Sequence, residues 1–167
     1  MAPARPMSAA ELEKATVTTA DLDGYDVQRA LSATAASRRT AEPSECTPVA
    51  QALGGSSGYE ATARVARFVS PKSTGKGAFL TLSSHSAEDA AQVMEALKKS
   101  AEKCEAFKDV IANFDYEAVA LRSGTDHGDD SVSVIAMFTT FVRPAAGGKS
   151  SAAVPEPVIA AQLKKLS

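Results

Sequence analysis

The sequence predicts an α+β fold: an antiparallel sheet of about five strands with helices packed mainly on one face. Three observations carry this. Alternating runs at 60–70 and 77–84, and again at 114–121 and 131–142, follow one another across short polar turns, as hairpin strands do. The segment 86–104 repeats Ala90, Val93, Met94, Leu97, Ala101 and Cys104 at three and four residues, the period of an amphipathic helix. The order of elements is αβαββαββα, with strands joined as hairpins rather than through single helices, and that order suits an antiparallel sheet.

Residues 1–7 read as a disordered lead-in, and 8–167 as a single α+β domain. Ser8-Ala9-Ala10-Glu11 is a capping box opening a short helix through Leu12 and Ala15. Residues 25–31 alternate as a half-buried strand, and 32–43 read as a loop of Ser, Thr, Ala, Arg and Pro. In 44–55, Pro48 suits a first helical turn and Gly54-Gly55 ends the helix. The strand at 60–70 places Ala61, Ala63, Val65 and Arg67 on one parity. The turn at 71–76 has a Lys-rich tip. In the 86–104 helix, Glu88 and Asp89 open the first turn and Lys98, Lys99 and Lys103 lie near the end, which complements the helix dipole.

Residues 105–111 read as a further helical turn, and 114–121 as a strand. The run 131–142 is apolar on both parities and reads as a central strand. A Gly/Ser/Ala linker at 144–153 leads to a final helix starting at Pro155-Glu156-Pro157, with Val158, Ile159, Gln162, Leu163 and Leu166 on or near one face. No segment repeats internally.

At 167 residues the chain has room for a core, with 44% hydrophobic residues. Much of that fraction is alanine; Trp is absent and aromatics are 5%, so the core buries little apolar area and gains from a covalent staple. The net charge of −2 and the isolated pairs Arg38-Arg39 and Lys98-Lys99 argue against nucleic acid as a partner. No stretch reaches transmembrane length, and the opening Met1-Ala2-Pro3-Ala4-Arg5-Pro6 has no apolar signal core. The chain is therefore either cytoplasmic or exported with its signal segment removed.

Cys46 and Cys104 are the two cysteines. Cys46, Val49, Ala50 and Leu53 share one helix face, and Cys104 ends the apolar stripe of the long helix, so both thiols point inward. They either meet as a disulfide or remain two buried thiols that pack as small hydrophobes. Two distant cysteines and two histidines are too few for a metal site, and neither cysteine has a nearby His to activate it.

Other chemistry is thin. Asp126, His127, Asp129 and Asp130 stand in one Gly-rich turn, where Asp and Gly serve the backbone; the spacing is not that of a calcium loop. Ser73-Thr74-Gly75-Lys76 matches the S-x-x-K pattern of penicillin-recognising enzymes, which offers a serine hydrolase using Ser73 and Lys76. Its companion motifs are missing, and Ser100-Ala101-Glu102-Lys103 matches equally well. The 73–76 segment is not a phosphate loop. His85 precedes a helix cap and reads as a loop residue. No cofactor is implied.

Several segments resemble small actinobacterial secreted lipoproteins. They are Leu12-Glu13-Lys14-Ala15, Ala20-Asp21-Leu22-Asp23-Gly24-Tyr25, Glu45-Cys46-Thr47-Pro48-Val49-Ala50-Gln51-Ala52-Leu53-Gly54-Gly55, the Cys104 helix, and the tail Val154-Pro155-Glu156-Pro157-Val158-Ile159-Ala160-Ala161-Gln162-Leu163-Lys164-Lys165-Leu166. More distantly, the plan of Cys-helix, hairpin and helix-Cys is similar to the extracellular sensor domains of actinobacterial Ser/Thr kinases. The resemblance implies export, lipid attachment at an N-terminal cysteine, a disulfide between Cys46 and Cys104, and no catalytic residues. The chain departs from it in lacking the lipobox cysteine and in having little strand between Val142 and Val154.

The expected function is thus a non-enzymatic, extracytoplasmic, lipoprotein-like binding or sensor-type domain. Its partner would be an unknown ligand or cell-envelope protein, with the membrane reached only through a lipid anchor. The alternative is a cytoplasmic interaction module with reduced cysteines.

Overall fold

Local pattern becomes local structure along the chain in the computed structural model. The elements are α1 (Ala9–Lys14), β1 (Tyr25–Ala30), β2 (Ala41–Glu42), α2 (Thr47–Leu53), β3 (Ala63–Pro71), β4 (Ala78–Ser84), α3 (Ala87–Lys103), β5 (Phe107–Asp109), β6 (Phe114–Gly124), β7 (Ser131–Phe138) and α4 (Glu156–Leu166). Short 3-10 turns stand at Thr19–Asp21 and Ser44–Cys46. The structure describes residues 5–74, 77–124, 131–138 and 156–166, and for 117–124 and 131–138 the backbone alone.

The chain is α+β with every strand pairing antiparallel, as expected. The single sheet of about five strands is corrected: the described residues form two sheets, one of order β1-β3-β4 and one of order β2-β5-β6-β7. The reason lies in the pairing. A strand has two edges. Both edges of β3 are taken, by β1 and β4, and both edges of β6 by β5 and β7, so neither hairpin has its inner strand free to join the other. Alternation reveals strands but not their partners.

Two strands escaped the pattern because they are too short to alternate. Ala41–Glu42, in the expected loop, pairs with Phe107–Asp109, where the sequence predicts a helical turn. The sequence predicts a central strand over 131–142, yet β7 closes one end of the sheet order among the described residues. Residues 139–142 lie outside them, as do the expected linker 144–153 and the acidic turn 126–130.

Contacts divide the chain into two compact units. The first contains residues 1–36, 55–91 and 154–167; the second contains 37–54 and 92–153. The boundary falls inside α3.

In the first unit, β3 is the central strand, and its buried parity is Ala63, Val65, Arg67 and Val69. Leu12 of α1 packs with Ala63 and Val65, joined by Met7 and Leu82. Val158 of α4 packs with Val17, Leu22 and Val69. Thus both helices use the same parity of β3. Met7, within the expected lead-in, also donates its amide to Ser84 Oγ at 2.7 Å. Gly24 has φ +79°, a left-handed turn that delivers the chain into β1, and its carbonyl accepts from the Lys72 amide.

In the second unit the core is small: Ala41, Cys46, Val49, Ala50, Cys104 and Phe107, with Tyr116 packed against it. Pro48 stands in the first turn of α2 and Gly54 caps its end, as the sequence predicts. Cys46, expected on the helix, sits on the preceding 3-10 turn and at the N-cap of α2.

Candidate functional site

Within the second unit, the two cysteines form a disulfide. Cys46 lies just before α2 and Cys104 just after α3, with Cα atoms 5.3 Å apart across 58 residues of sequence. That spacing is normal for a disulfide. Cys46 is fully buried and Cys104 is 3% exposed, so an attacking thiolate has no approach in the folded state. The bond is a staple in the middle of an apolar cluster, where it can bear load but not exchange.

The surroundings fix both ends of that staple. Ser100, two per cent exposed, donates its hydroxyl to the Glu45 carbonyl at 2.6 Å and ties α3 to the turn carrying Cys46. Thr47 Oγ1 accepts the Ala41 amide at 3.1 Å and ties β2 to α2. Phe107 and Tyr116 are direct neighbours across β5 and β6, and their rings stack at 4.7 Å and 17°.

Beside this cluster lies a buried carboxylate. Asp109, fully buried, receives Arg39 Nη1 on Oδ2 at 2.9 Å and the Ala112 amide on Oδ1 at 2.9 Å. Arg39 is positioned in turn by Ser37, whose Oγ accepts its amide, and by Gln51, which donates to its carbonyl at 3.3 Å. A buried charge with a cationic partner and a backbone donor is fully satisfied. Burial pushes the Tyr116 phenol up; the Asp109 charge adds to that shift and Arg39 opposes it.

The first unit holds a second charged centre. Arg67, 6% exposed, lies on the buried parity of β3 and donates to Glu13 Oε1 at 2.5 Å. Arg29 reaches the same oxygen at 2.8 Å. Gln162 of α4 is likewise buried: its Oε1 accepts the Val17 amide at 3.1 Å and its Nε2 donates to the Ala15 carbonyl at 2.6 Å. These groups satisfy backbone and charge inside the fold.

The chemistry suggested by motifs does not assemble among the described residues. Ser100, in one S-x-x-K match, spends its hydroxyl on Glu45, while Lys103 is exposed. The other match is divided: Ser73 lies in the turn after β3, and Lys76 falls outside the described residues. His85 Nδ1 is 3.2 Å from the Glu60 carbonyl, a structural contact in the loop before α3. Asp126, His127, Asp129 and Asp130 lie outside the described residues. Among those described, no three His, Cys, Asp or Glu side chains stand together as a metal site.

Sequence reasoning missed Arg39–Asp109 and Glu13–Arg67. For Arg67 a signal existed: an arginine on the same parity as Ala63 and Val65 requires a carboxylate. For Asp109 there is none, because the sequence predicts a helical turn for its segment. Compared with known proteins, the chain matches no family model, no curated protein and no solved structure.

Proposed function

We propose that this chain is a non-enzymatic extracytoplasmic domain of binding or sensor type, of the kind carried by small actinobacterial secreted lipoproteins. Its partner would be an unknown ligand or a cell-envelope protein, and its only tie to a membrane a lipid anchor. One observation carries the reading: the Cys46–Cys104 disulfide closes the core of the second unit. Disulfides persist in oxidising compartments, and a thin core gains most from them. The segment resemblance points the same way. Ser100, in one of the two S-x-x-K matches, spends its hydroxyl on the Glu45 carbonyl, which speaks for a structural role there.

The test is differential alkylation of the protein recovered from its own host. Denatured without reductant, the chain gains no carbamidomethyl groups if the bond exists in the cell; after reduction it gains two. Two labelled cysteines without reductant, in protein protected from oxidation during lysis, favour the cytoplasmic interaction module instead. Fractionation of the same cells places the chain on the envelope or in the medium under the first reading.

A further inference from the structure

The two outer strands of the first unit's sheet are treated very differently. β1 is guarded. Its Tyr25 amide donates to the Leu22 carbonyl at 3.3 Å, and Thr19 Oγ1 accepts the Val27 amide at 3.2 Å. It also carries the charges Asp26 and Arg29. These are the usual protections of a sheet edge.

Among the described residues β4 has none of them. From residue 77 to 84 it contains neither a charge nor a proline. Among the described residues no strand lies beyond it. Phe79 stands 75% exposed, touching only one other ring, Phe68, at 5.1 Å among the described aromatic pairs. A seven-residue, uncharged edge is a template for another strand.

The geometry points to a second copy of this chain as the occupant, with β4 pairing antiparallel to β4 about a two-fold axis at Thr81. Such an axis sets each residue opposite the one equidistant from Thr81. Phe79 then faces Ser83, large against small. Leu80 faces Leu82, and Ala78 faces Ser84. Leu80 and Leu82 already belong to the two apolar clusters of this unit, so the pairing continues its core across the axis. Charge also favours self-pairing. A two-fold contact brings like residues near one another, and β4 is the strand of this sheet with no charge to repel its copy. The isologous contact closes at two, so it consumes the edge without growing a fibre. One strand pair falls well short of the roughly 800 Å² per partner of a standard interface, so the dimer is weak and concentration-dependent.

The test uses the intact chain. Both cysteines are in the disulfide, so a single introduced cysteine is the only free thiol. Thr81→Cys, facing itself across the axis, is expected to cross-link to a covalent dimer on mild oxidation at least tenfold faster than Asp26→Cys on β1. Sedimentation of the unmodified chain should show its average mass rising with concentration. Thr81→Lys, which sets two ammonium groups face to face, and Phe79→Lys should each return it to monomer with the thermal transition retained. Phe79→Lys replaces a mostly exposed side chain and serves if Thr81→Lys unfolds. Equal cross-linking at positions 26 and 81, or a monomer up to millimolar concentration, overturns the proposal. So does a dimer that persists in both lysine variants; that outcome places the contact elsewhere.

Discussion

The two units hold themselves together by different means. The second is assembled from two stretches of chain, 37–54 and 92–153, and one covalent bond joins them: Cys46 lies in the first stretch and Cys104 in the second. The first is assembled from three stretches with no covalent tie. Its cross-links are single side chains that reach between stretches. Gln162 bonds Val17 and Ala15, Glu13 pairs with Arg67, and Lys165 pairs with Asp21 at 3.0 Å. Both solve the same problem, a core of small residues that buries too little area to order a discontinuous chain. The disulfide acts largely on the unfolded state, whereas the polar ties act only on the folded one. The units should therefore fail under different conditions.

Removing the disulfide should be the largest single effect. Closing 58 residues of chain corresponds to about 4 kcal/mol by loop entropy. With Cys46→Ala and Cys104→Ala together, hydrogen exchange measured by mass spectrometry should rise across β5 and β6 while β3 stays protected. Equal loss in both units would show that they unfold as one and would end the contrast.

Next is the charge buried beside the disulfide. Asp109→Ala leaves the Ala112 amide and Arg39 without their acceptor and should cost about 3 kcal/mol, softened because Arg39 is one-third exposed. Urea unfolding reads this. A loss below 0.5 kcal/mol would mean that water replaces the carboxylate.

The matching test in the first unit is Gln162→Leu. It keeps a side chain of similar size and strands one buried amide and one buried carbonyl, at a cost of about 2 kcal/mol. The exchange increase should appear at Val17 and along α4, not in β5. If β5 responds instead, the assignment of Gln162 to the first unit's stability is wrong.

Acid should give the smallest difference, and it too falls on the first unit. Glu11 is pulled down to about 2, first by the Arg5 guanidinium and then by the Ser8 amide and hydroxyl. Asp21 is held below its ordinary range by the Thr18 hydroxyl and amide, with Lys165 adding to it. Both carboxylates titrate lower folded than unfolded. Their contribution is complete above the ordinary carboxylate range near ~4 and disappears as the pH falls toward 2. Melting temperature followed from pH 6 to pH 2 should fall less steeply in Thr18→Ala, which removes the hydroxyl part of the Asp21 shift. An unchanged slope would separate Asp21 from acid sensitivity.

Much of this was legible from local pattern. The capping box at Ser8, the Pro48 start and Gly54 stop, the hairpin of β3 and β4 and the amphipathic 86–104 helix all depend on neighbours within a few residues, and all appear where the sequence places them. Strands of two and three residues were not legible, because alternation needs more length than β2 or β5 has. Nor was the number of sheets, since alternation in the longer strands does not name their partners. The polar ties were half visible. Arg67 on an apolar parity announces a missing partner without naming Glu13, and Gln162 among Val158, Ile159 and Leu163 announces a buried amide without naming its acceptor.

The cysteines show the same division. By itself, the sequence determined that Cys46 and Cys104 face inward, because helical period and apolar neighbours are local quantities. Tertiary structure alone decided that they meet, 5.3 Å apart at Cα, and that Asp109, read as helical, becomes a buried strand carboxylate between Arg39 and Ala112. Side-chain direction is set over one or two turns of chain, whereas contact between distant segments depends on how all the intervening elements pack.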